Sequence, residues 1–323
     1  MGAPGRVTNF PNGASSFGYV ISPSVYAAQT WGGGKVLWVG NRSGLTAGDG
    51  SSPAYPLSSV FGSSGALVKI NNFPGATINV LPGHVESITG STSISALAGT
   101  SGKSINIVGL GFGSQRPTFN WTAAASALLV NLAGTWIRNC VFNLSSTAAT
   151  VVTAAITVSA ADCGLDGVEI LPATSATQLT TTAITVASGG DKFTMLGCEI
   201  ISETFATNPT DILTTTAAVN KLMLYGCRFY TAVNSTTNGV INLANAPTNV
   251  HLEDCVFDNK KAASTIAAIA SASTTGAVAF CSCITQTAGT GAGSFGTIGN
   301  LFFSQTFGGQ IAKFGVNVGT TST

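Results

Sequence analysis

The chain has 323 residues, of which 8% are charged, and its formal net charge at pH 7 is +1. Typical soluble proteins carry about 25% charged residues, and so weak a net charge provides no field for binding nucleic acid or an anionic membrane. The apolar runs are too short to span a bilayer, and the first ten residues, MGAPGRVTNF, lack a signal-peptide pattern. We therefore expect neither nucleic acid nor membrane as a partner.

The first 34 residues lie outside any repeat and mix turn signals such as NFPNG with several aromatic residues. A segment of this composition can bury little apolar surface alone, so we predict an arm that docks on the surface of a partner. The alternative is an arm that folds back on its own chain. The candidate anchoring residues are Phe10, Pro11, Asn12, Phe17 and Tyr19.

The next motifs are VLWVG from residue 36, GDGSSPAYP from 48, LSSVFG from 57 and INVLPG from 78. In this order they resemble the entry segment of right-handed parallel β-helix proteins of the pectate-lyase-like superfamily. The resemblance spans roughly residues 35–285. It implies a strand, a turn, a short helix over LSSVFG and a second strand, which together cover the first coil. This fold hosts many functions, so the resemblance does not define an activity.

A repeat of 28–30 residues occupies the centre of the chain. Its first apolar column is Leu110, Cys140, Val168, Cys198, Cys227, Cys255 and Cys283. The column three residues earlier is Ile107, Ile137, Leu165, Met195, Leu224, Leu252 and Phe280, with Ile78 one period before it. The column two residues later is Phe112, Phe142, Ile170, Ile200, Phe229 and Phe257, with Thr285 as an exception. A separate strand series with the same period is Leu128, Ile156, Ile184, Leu213, Ile241 and Ile269.

Two apolar series with one period predict a solenoid. The units are short, β-branched and punctuated by glycine, which favours strands over helices. We therefore predict an all-β, right-handed parallel β-helix over residues 78–290. The arm covers residues 1–34, an entry segment 35–77, and a C-terminal cap or oligomerisation tail with five phenylalanines 291–323.

The recurring cysteines are interpreted as core residues. Cysteine is small, apolar and tolerant of burial, whereas side chains stacked in register have poor geometry for disulfides. The seven cysteines are also an odd number, and we expect assembly in a reducing cytoplasm. The predicted core ladder is Cys140, Cys198, Cys227, Cys255 and Cys283.

Two polar clusters are candidate sites for chemistry. The residue after each member of the cysteine column points outward, which places Glu169, Glu199 and Arg228 on adjacent coils. Two carboxylates at this spacing could bind a metal or act as acid and base; the favoured interpretation is an exposed charge ladder in which Glu199 pairs with Arg228. The second cluster is His251, Glu253, Asp254 and Asp258.

The second cluster is interpreted as the solvated side of one coil. A zinc site that combines His251 with Cys255 and with Cys281 or Cys283 is disfavoured, because strand alternation sends His251 outward and Cys255 inward. We therefore predict no catalytic residue, no metal site and no cofactor.

The segment Thr8–Gly18, which reads TNFPNGASSFG, is similar to the N-termini of virion proteins of tailed bacteriophages that decorate the head. This resemblance implies that the arm binds the major capsid protein and that the β-helix lies on the capsid surface, after assembly in the host cytoplasm. It also implies a homotrimer, for which an outward apolar stripe offers interface residues: Leu171, Ile201 and Tyr230. The alternative is a monomer on the capsid lattice.

The expected function is thus non-enzymatic: decoration or cementing of a phage capsid. The alternative is a phage tail spike or fibre that binds or cleaves a host surface glycan, which makes glycan a possible partner. A third candidate, a cellular polysaccharide lyase or secreted adhesin, is disfavoured because the chain lacks a signal peptide and has an odd number of cysteines.

Overall fold

The computed structural model describes thirteen backbone ranges. They are 14–16, 19–21, 35–70, 75–95, 104–144, 151–172, 179–202, 209–231, 240–245, 247–259, 269–270, 277–287 and 300–301. Side chains are described for 35–70, 75–95, 104–144, 151–172, 180–202, 209–231, 240–245 and 247–257.

The regular secondary structure of the described residues is almost entirely β-strand. In chain order the strands are β1 (Ala14–Ser16), β2 (Tyr19–Ile21), β3 (Val36–Val39), β4 (Ala76–Val80), β5 (Val85–Ile88), β6 (Ser91–Ser95), β7 (Ile105–Gly109), β8 (Thr118–Trp121), β9 (Ala127–Asn131), β10 (Trp136–Arg138), β11 (Val141–Asn143), β12 (Val151–Val158), β13 (Gly164–Asp166), β14 (Glu169–Leu171), β15 (Leu179–Val186), β16 (Thr194–Leu196), β17 (Glu199–Ile201), β18 (Asp211–Thr215), β19 (Met223–Tyr225), β20 (Arg228–Thr231), β21 (Ile241–Asn242), β22 (Val250–Asn259), β23 (Ile269–Ala270), β24 (Ala277–Thr287) and β25 (Asn300–Leu301). The helical elements are α1 (Ala66–Lys69) and a 3-10 turn (Gly113–Gln115).

The strands stack into three parallel ladders, because each coil contributes one strand to each face. Ladder 1 runs through β3, β4, β7, β10, β13, β16, β19 and the first half of β22. Ladder 2 runs through β5, β8, β11, β14, β17, β20 and the second half of β22. Ladder 3 runs through β6, β9, β12, β15, β18, β21 and β23. β24 continues the first two ladders beside β22.

The architecture confirms the predicted parallel β-solenoid; its right-handed sense stays a prediction. The predicted strand series from Leu128 to Ile269 pairs residue by residue along ladder 3. The inward column from Ile78 to Leu252 does the same along ladder 1. The repeat period therefore gave the correct register over most of the solenoid.

Two members of the predicted columns are wrong. Phe112 is exposed, and the residue in register with Phe142 is Phe119. The chain makes a detour between Leu110 and Thr118, including the 3-10 turn, so the ladder 2 strand of that coil starts later than expected. At the other end, Leu252 pairs with Cys281 rather than Phe280, because a register shift occurs between Val250 and His251.

The short helix of the entry segment also lies later than predicted. The motif LSSVFG is not helical, and α1 begins at Ala66. Leu57 forms a parallel bridge with Val39, and the amides of Val60 and Phe61 bind the Glu86 side chain. The carbonyl oxygen of Leu57 also accepts from the amide of Gly40 (2.8 Å), so the first bond of a helix starting at Leu57, from the Phe61 amide to this carbonyl, does not form.

Sharp corners connect the faces, and the residues at them adopt a left-handed conformation. Between ladders 1 and 2 these residues are Asn139, Gly167, Gly197, Gly226 and Asp254, with φ between 50° and 60°. Between ladders 3 and 1 they are Gly134, Asp162, Lys192, Lys221 and Asn249. Glycine, asparagine and aspartate tolerate this region best. Asn139 also donates its side-chain amide to the carbonyl oxygens of Gly109 (2.9 Å) and Gly111 (3.1 Å) on the preceding coil.

Aromatic side chains fill much of the interior behind ladder 2. Phe119 and Phe142 meet edge to face with centroids 5.9 Å apart, and Phe229 stacks on Phe257 at 4.7 Å. Trp121 is fully buried and donates its Nε1 proton to the carbonyl of Ala155, which lies across the core on ladder 3. The interior is therefore a packed core whose shape is set by stacked coils.

Candidate functional site

The outward carboxylates of ladder 2 form the first candidate site. Glu169, Glu199 and Arg228 are register neighbours on adjacent coils, as the repeat predicted. The expected ion pair between Glu199 and Arg228 does not occur between these two described side chains. Instead, Glu169 pairs with Arg116, whose Nη1 lies 3.0 Å from the carboxylate Oε2.

Arg116 spans several coils with one guanidinium. Its Nη2 donates to the carbonyl oxygens of Cys140 (2.9 Å) and Gly167 (2.8 Å), while its Nη1 binds Glu169. The Arg116 side chain is 17% exposed. Glu169 is thus held by a partly buried cation and serves to join neighbouring coils. This engagement disfavours a shared acid–base or metal role for Glu169 and Glu199.

The second predicted cluster surrounds His251 on ladder 1. The Nε2 of His251 lies 3.5 Å from Glu253 Oε2, and its ring packs on Tyr225 with centroids 5.3 Å apart. Asp254 is the corner residue, and Cys255 is buried while His251 faces outward. The side chain of Asp258 lies outside the described residues.

The outward face of ladder 1 carries more aromatic surface than the sequence indicated. Trp136 and Tyr225 both face outward and are partly exposed. The guanidinium of Arg138 lies 5.3 Å from the centroid of Trp136, and its Nε is 3.8 Å from Asp166. The sequence signal for these outward positions is the alternation within WIRN and MLYG, in which Ile137 and Leu224 are buried and their neighbours point outward.

A buried polar pair in the entry segment was also missed. Glu86 occupies an inward position in register with Phe119, at the start of the aromatic column. Its carboxylate accepts N–H groups from Val60 (2.7 Å) and Phe61 (2.8 Å), and it lies 3.1 Å from Nε2 of the fully buried His84. We call this arrangement the Glu86 clasp. Two of its donors are backbone amides, which a sequence pattern does not display.

The described members of the cysteine column are buried free thiols. Cys140, Cys198, Cys227 and Cys255 are at most 1% exposed, and their Sγ atoms face main-chain carbonyls at 3.2–3.6 Å. Burial raises the pKa of Cys140 to about 12. Hydrogen bonding to Cys198 is the first cause that raises the pKa of Cys227 to about 12. For Cys283 the structure gives only the backbone, which pairs with Cys255.

The predicted binding surfaces are described in part. Leu171, Ile201 and Tyr230 lie on ladder 2 and are partly buried, with Ile201 beside Tyr230 in register. Phe10, Pro11, Asn12 and Phe17 lie outside the described residues. Tyr19 belongs to β2, which pairs antiparallel with β1, but its side chain is not described. The anchoring and interface roles stay predictions.

Within the ranges whose side chains are described, no group of three or more His, Cys, Asp or Glu residues is arranged to hold a metal ion. No helix in the described part of the chain is long and apolar enough to cross a membrane. A scan of protein-family models and searches of curated proteins and of solved structures found no match to this chain.

Proposed function

We propose that this chain is a non-enzymatic structural protein of a tailed-phage virion, which decorates or cements the capsid through its N-terminal arm. The observation that carries the proposal is the contact between Glu169 and Arg116. Glu169, one of the two outward carboxylates that stack on adjacent coils, is tied by Arg116 to the backbone of neighbouring coils. A surface carboxylate that joins neighbouring coils is consistent with a structural protein, which requires a rigid solenoid.

The partners follow from the same proposal. The arm, through Phe10, Pro11, Asn12, Phe17 and Tyr19, binds the major capsid protein, and the solenoid lies on the capsid surface. The partly buried apolar stripe of Leu171, Ile201 and Tyr230 supports self-association as a homotrimer, since apolar surface shared by adjacent coils is a common feature of interfaces. Buried free thiols are compatible with assembly in a reducing cytoplasm.

The test is binding of the full-length protein to particles that lack it. The double substitution Phe10→Ala and Phe17→Ala should abolish co-sedimentation with the capsid, because it removes the two phenylalanines of the arm motif. Phe112→Ala is the matched control, since Phe112 is an exposed aromatic residue of the solenoid. Normal binding of the double variant would refute the anchoring role.

Imaging of the intact particle separates this proposal from the alternative. Density for the solenoid repeated over the capsid would support decoration. Density found at the tail alone would instead favour a spike or fibre that binds a host glycan.

A further inference from the structure

The outward face of ladder 1 has a self-complementary order of side chains along the solenoid axis. Register pairs connect five successive coils in each of two outward columns. The first column is Arg138, Asp166, Leu196, Tyr225 and Glu253. The second is Trp136, Gly164, Thr194, Met223 and His251. Each column has an uncharged residue at its centre and different, complementary groups at its two ends.

We propose that this face binds a second copy of the chain through a two-fold contact in which the two solenoid axes run antiparallel. A two-fold axis along the strands, passing through the coil of Thr194 and Leu196, places each column opposite itself in reversed order. Arg138 then faces Glu253 of the second copy, and Leu196 faces its own equivalent. In such an isologous contact every interaction between two different residues forms twice.

The charge on Arg138 supports this arrangement. Its side chain is 23% exposed, and the nearest carboxylate oxygen of its own chain within the described residues, on Asp166, lies 3.8 Å from its Nε. The guanidinium has further N–H donors that can bind a carboxylate of a second copy. Glu253 has a 44% exposed side chain, which is available to a second copy at the opposite end of the column. The same axis places Tyr225, which can donate its hydroxyl proton, opposite Asp166.

The shape of the second column supports it as well. A Cβ atom added to Gly164 would lie 2.6–2.8 Å from three contiguous atoms of the Trp136 six-membered ring, so the ring lies face down on the Gly164 backbone. Because Gly164 has no side chain, the Trp136 ring can lie flat against the sheet. The proposed axis places His251 opposite Trp136 and Met223 opposite Gly164. Tryptophan, tyrosine, methionine and arginine are the residues that protein interfaces favour.

An axis through the same coil is unfavourable on ladder 2. Its outward column runs Val141, Glu169, Glu199, Arg228 and Val256. A two-fold axis through its centre would place Glu199 directly opposite its own equivalent, and like charges in direct opposition are destabilising. For an axis through this coil, charge complementarity therefore favours ladder 1. The contact does not depend on the arm, so it can join neighbouring copies whether or not the arm binds a capsid.

Analytical ultracentrifugation of the full-length chain, with its purified variants, tests the proposal. Arg138→Glu and Glu253→Arg should each raise the dissociation constant for pairing at least about tenfold, because each variant places like charges opposite each other twice. The double variant should restore pairing. An equimolar mixture of the two single variants should also restore it, since a heterodimer regains both opposite-charge pairs.

The controls separate the two-fold contact from other effects. Arg228→Glu on ladder 2 should leave pairing unchanged, and circular dichroism melts should show that every variant folds. Leu196→Arg, which puts like charges at the axis, should abolish pairing. Single variants that pair like the wild type, a double variant that fails to recover, or a wild-type chain that does not pair would each overturn the proposal. Glycan binding that Trp136→Ala abolishes, without any pairing, would assign this face to carbohydrate.

Discussion

The buried thiol of Cys140 should make the solenoid sensitive to alkaline pH. Burial raises the pKa of Cys140 from 9.0 to about 12. An unfolded chain exposes the thiol, which then ionises from about pH 9, whereas the folded chain keeps it protonated. Between these values the folded state binds more protons than the unfolded state. Its stability is therefore fully present below pH 9 and falls as the pH rises toward 12.

The magnitude follows from the two pKa values. A difference of about three pH units corresponds to about 4 kcal/mol over the whole window, or about 1.4 kcal/mol of unfolding free energy for each pH unit. Cys140→Ala removes this titrating group. The slope of unfolding free energy against pH should become less steep by that amount above pH 9, although the variant is also less stable at neutral pH because it loses packing.

Urea denaturation between pH 8 and pH 10.5, with a reducing agent present, measures both slopes. Tyrosines and lysines titrate alike in both proteins, so their effect cancels in the difference. Val168→Ala is the matched control, because Val168 holds the same column position on the next coil and is equally buried, but it carries no titrating group. Equal slopes for wild type and Cys140→Ala would refute the reasoning.

Two further predictions concern the contacts that join coils and close the solenoid. Arg116→Ala should lower the unfolding free energy by about 2–4 kcal/mol, since three carbonyl or carboxylate acceptors lose their donor; Lys192→Ala, which breaks an exposed pair with Asp162, should cost less than about 1 kcal/mol in the same denaturation assay. Glu86→Gln should weaken the Glu86 clasp by about 2 kcal/mol or more, because an amide presents one acceptor oxygen where two are used. Hydrogen exchange should then speed up at the amide of Val60 while the amides of β13 stay protected, and unchanged exchange at Val60 would contradict the role of the clasp.

The register of the solenoid could be predicted because every coil repeats the same inward positions. Residue spacing predicted the wrong alignment where the chain leaves the path of the repeat while the number of residues per coil stays within 28–30. The detour before Thr118 is hidden inside a spacing of 30 residues between Leu110 and Cys140, and so Phe112 was aligned in place of Phe119. The register shift between Val250 and His251 likewise puts Cys281, and not Phe280, in register with Leu252.

The candidate sites were harder to predict, since they depend on contacts between distant coils. Arg116 is 53 residues from Glu169, and its other partners are backbone carbonyls. Glu86 likewise depends on backbone donors from a loop 25–26 residues earlier. Outward alternation correctly placed Glu169 and Glu199 side by side. It could not show that Arg116 would form an ion pair with Glu169.

The recurrence of left-handed corners at fixed positions has a consequence for how chains of this kind can vary in length. Removing residues 192–220 would join Asp191 directly to Lys221, and one left-handed lysine corner would take the place of another. Removing one strand with its corner would instead place every later strand against the wrong face. Deletions are thus accommodated in units of one coil, whereas a detour such as the one before Thr118 leaves the ladders in register. The coils that Arg116 bridges, up to Gly167, are an exception. Deleting one of them would remove a carbonyl oxygen that accepts a hydrogen bond from the Arg116 guanidinium.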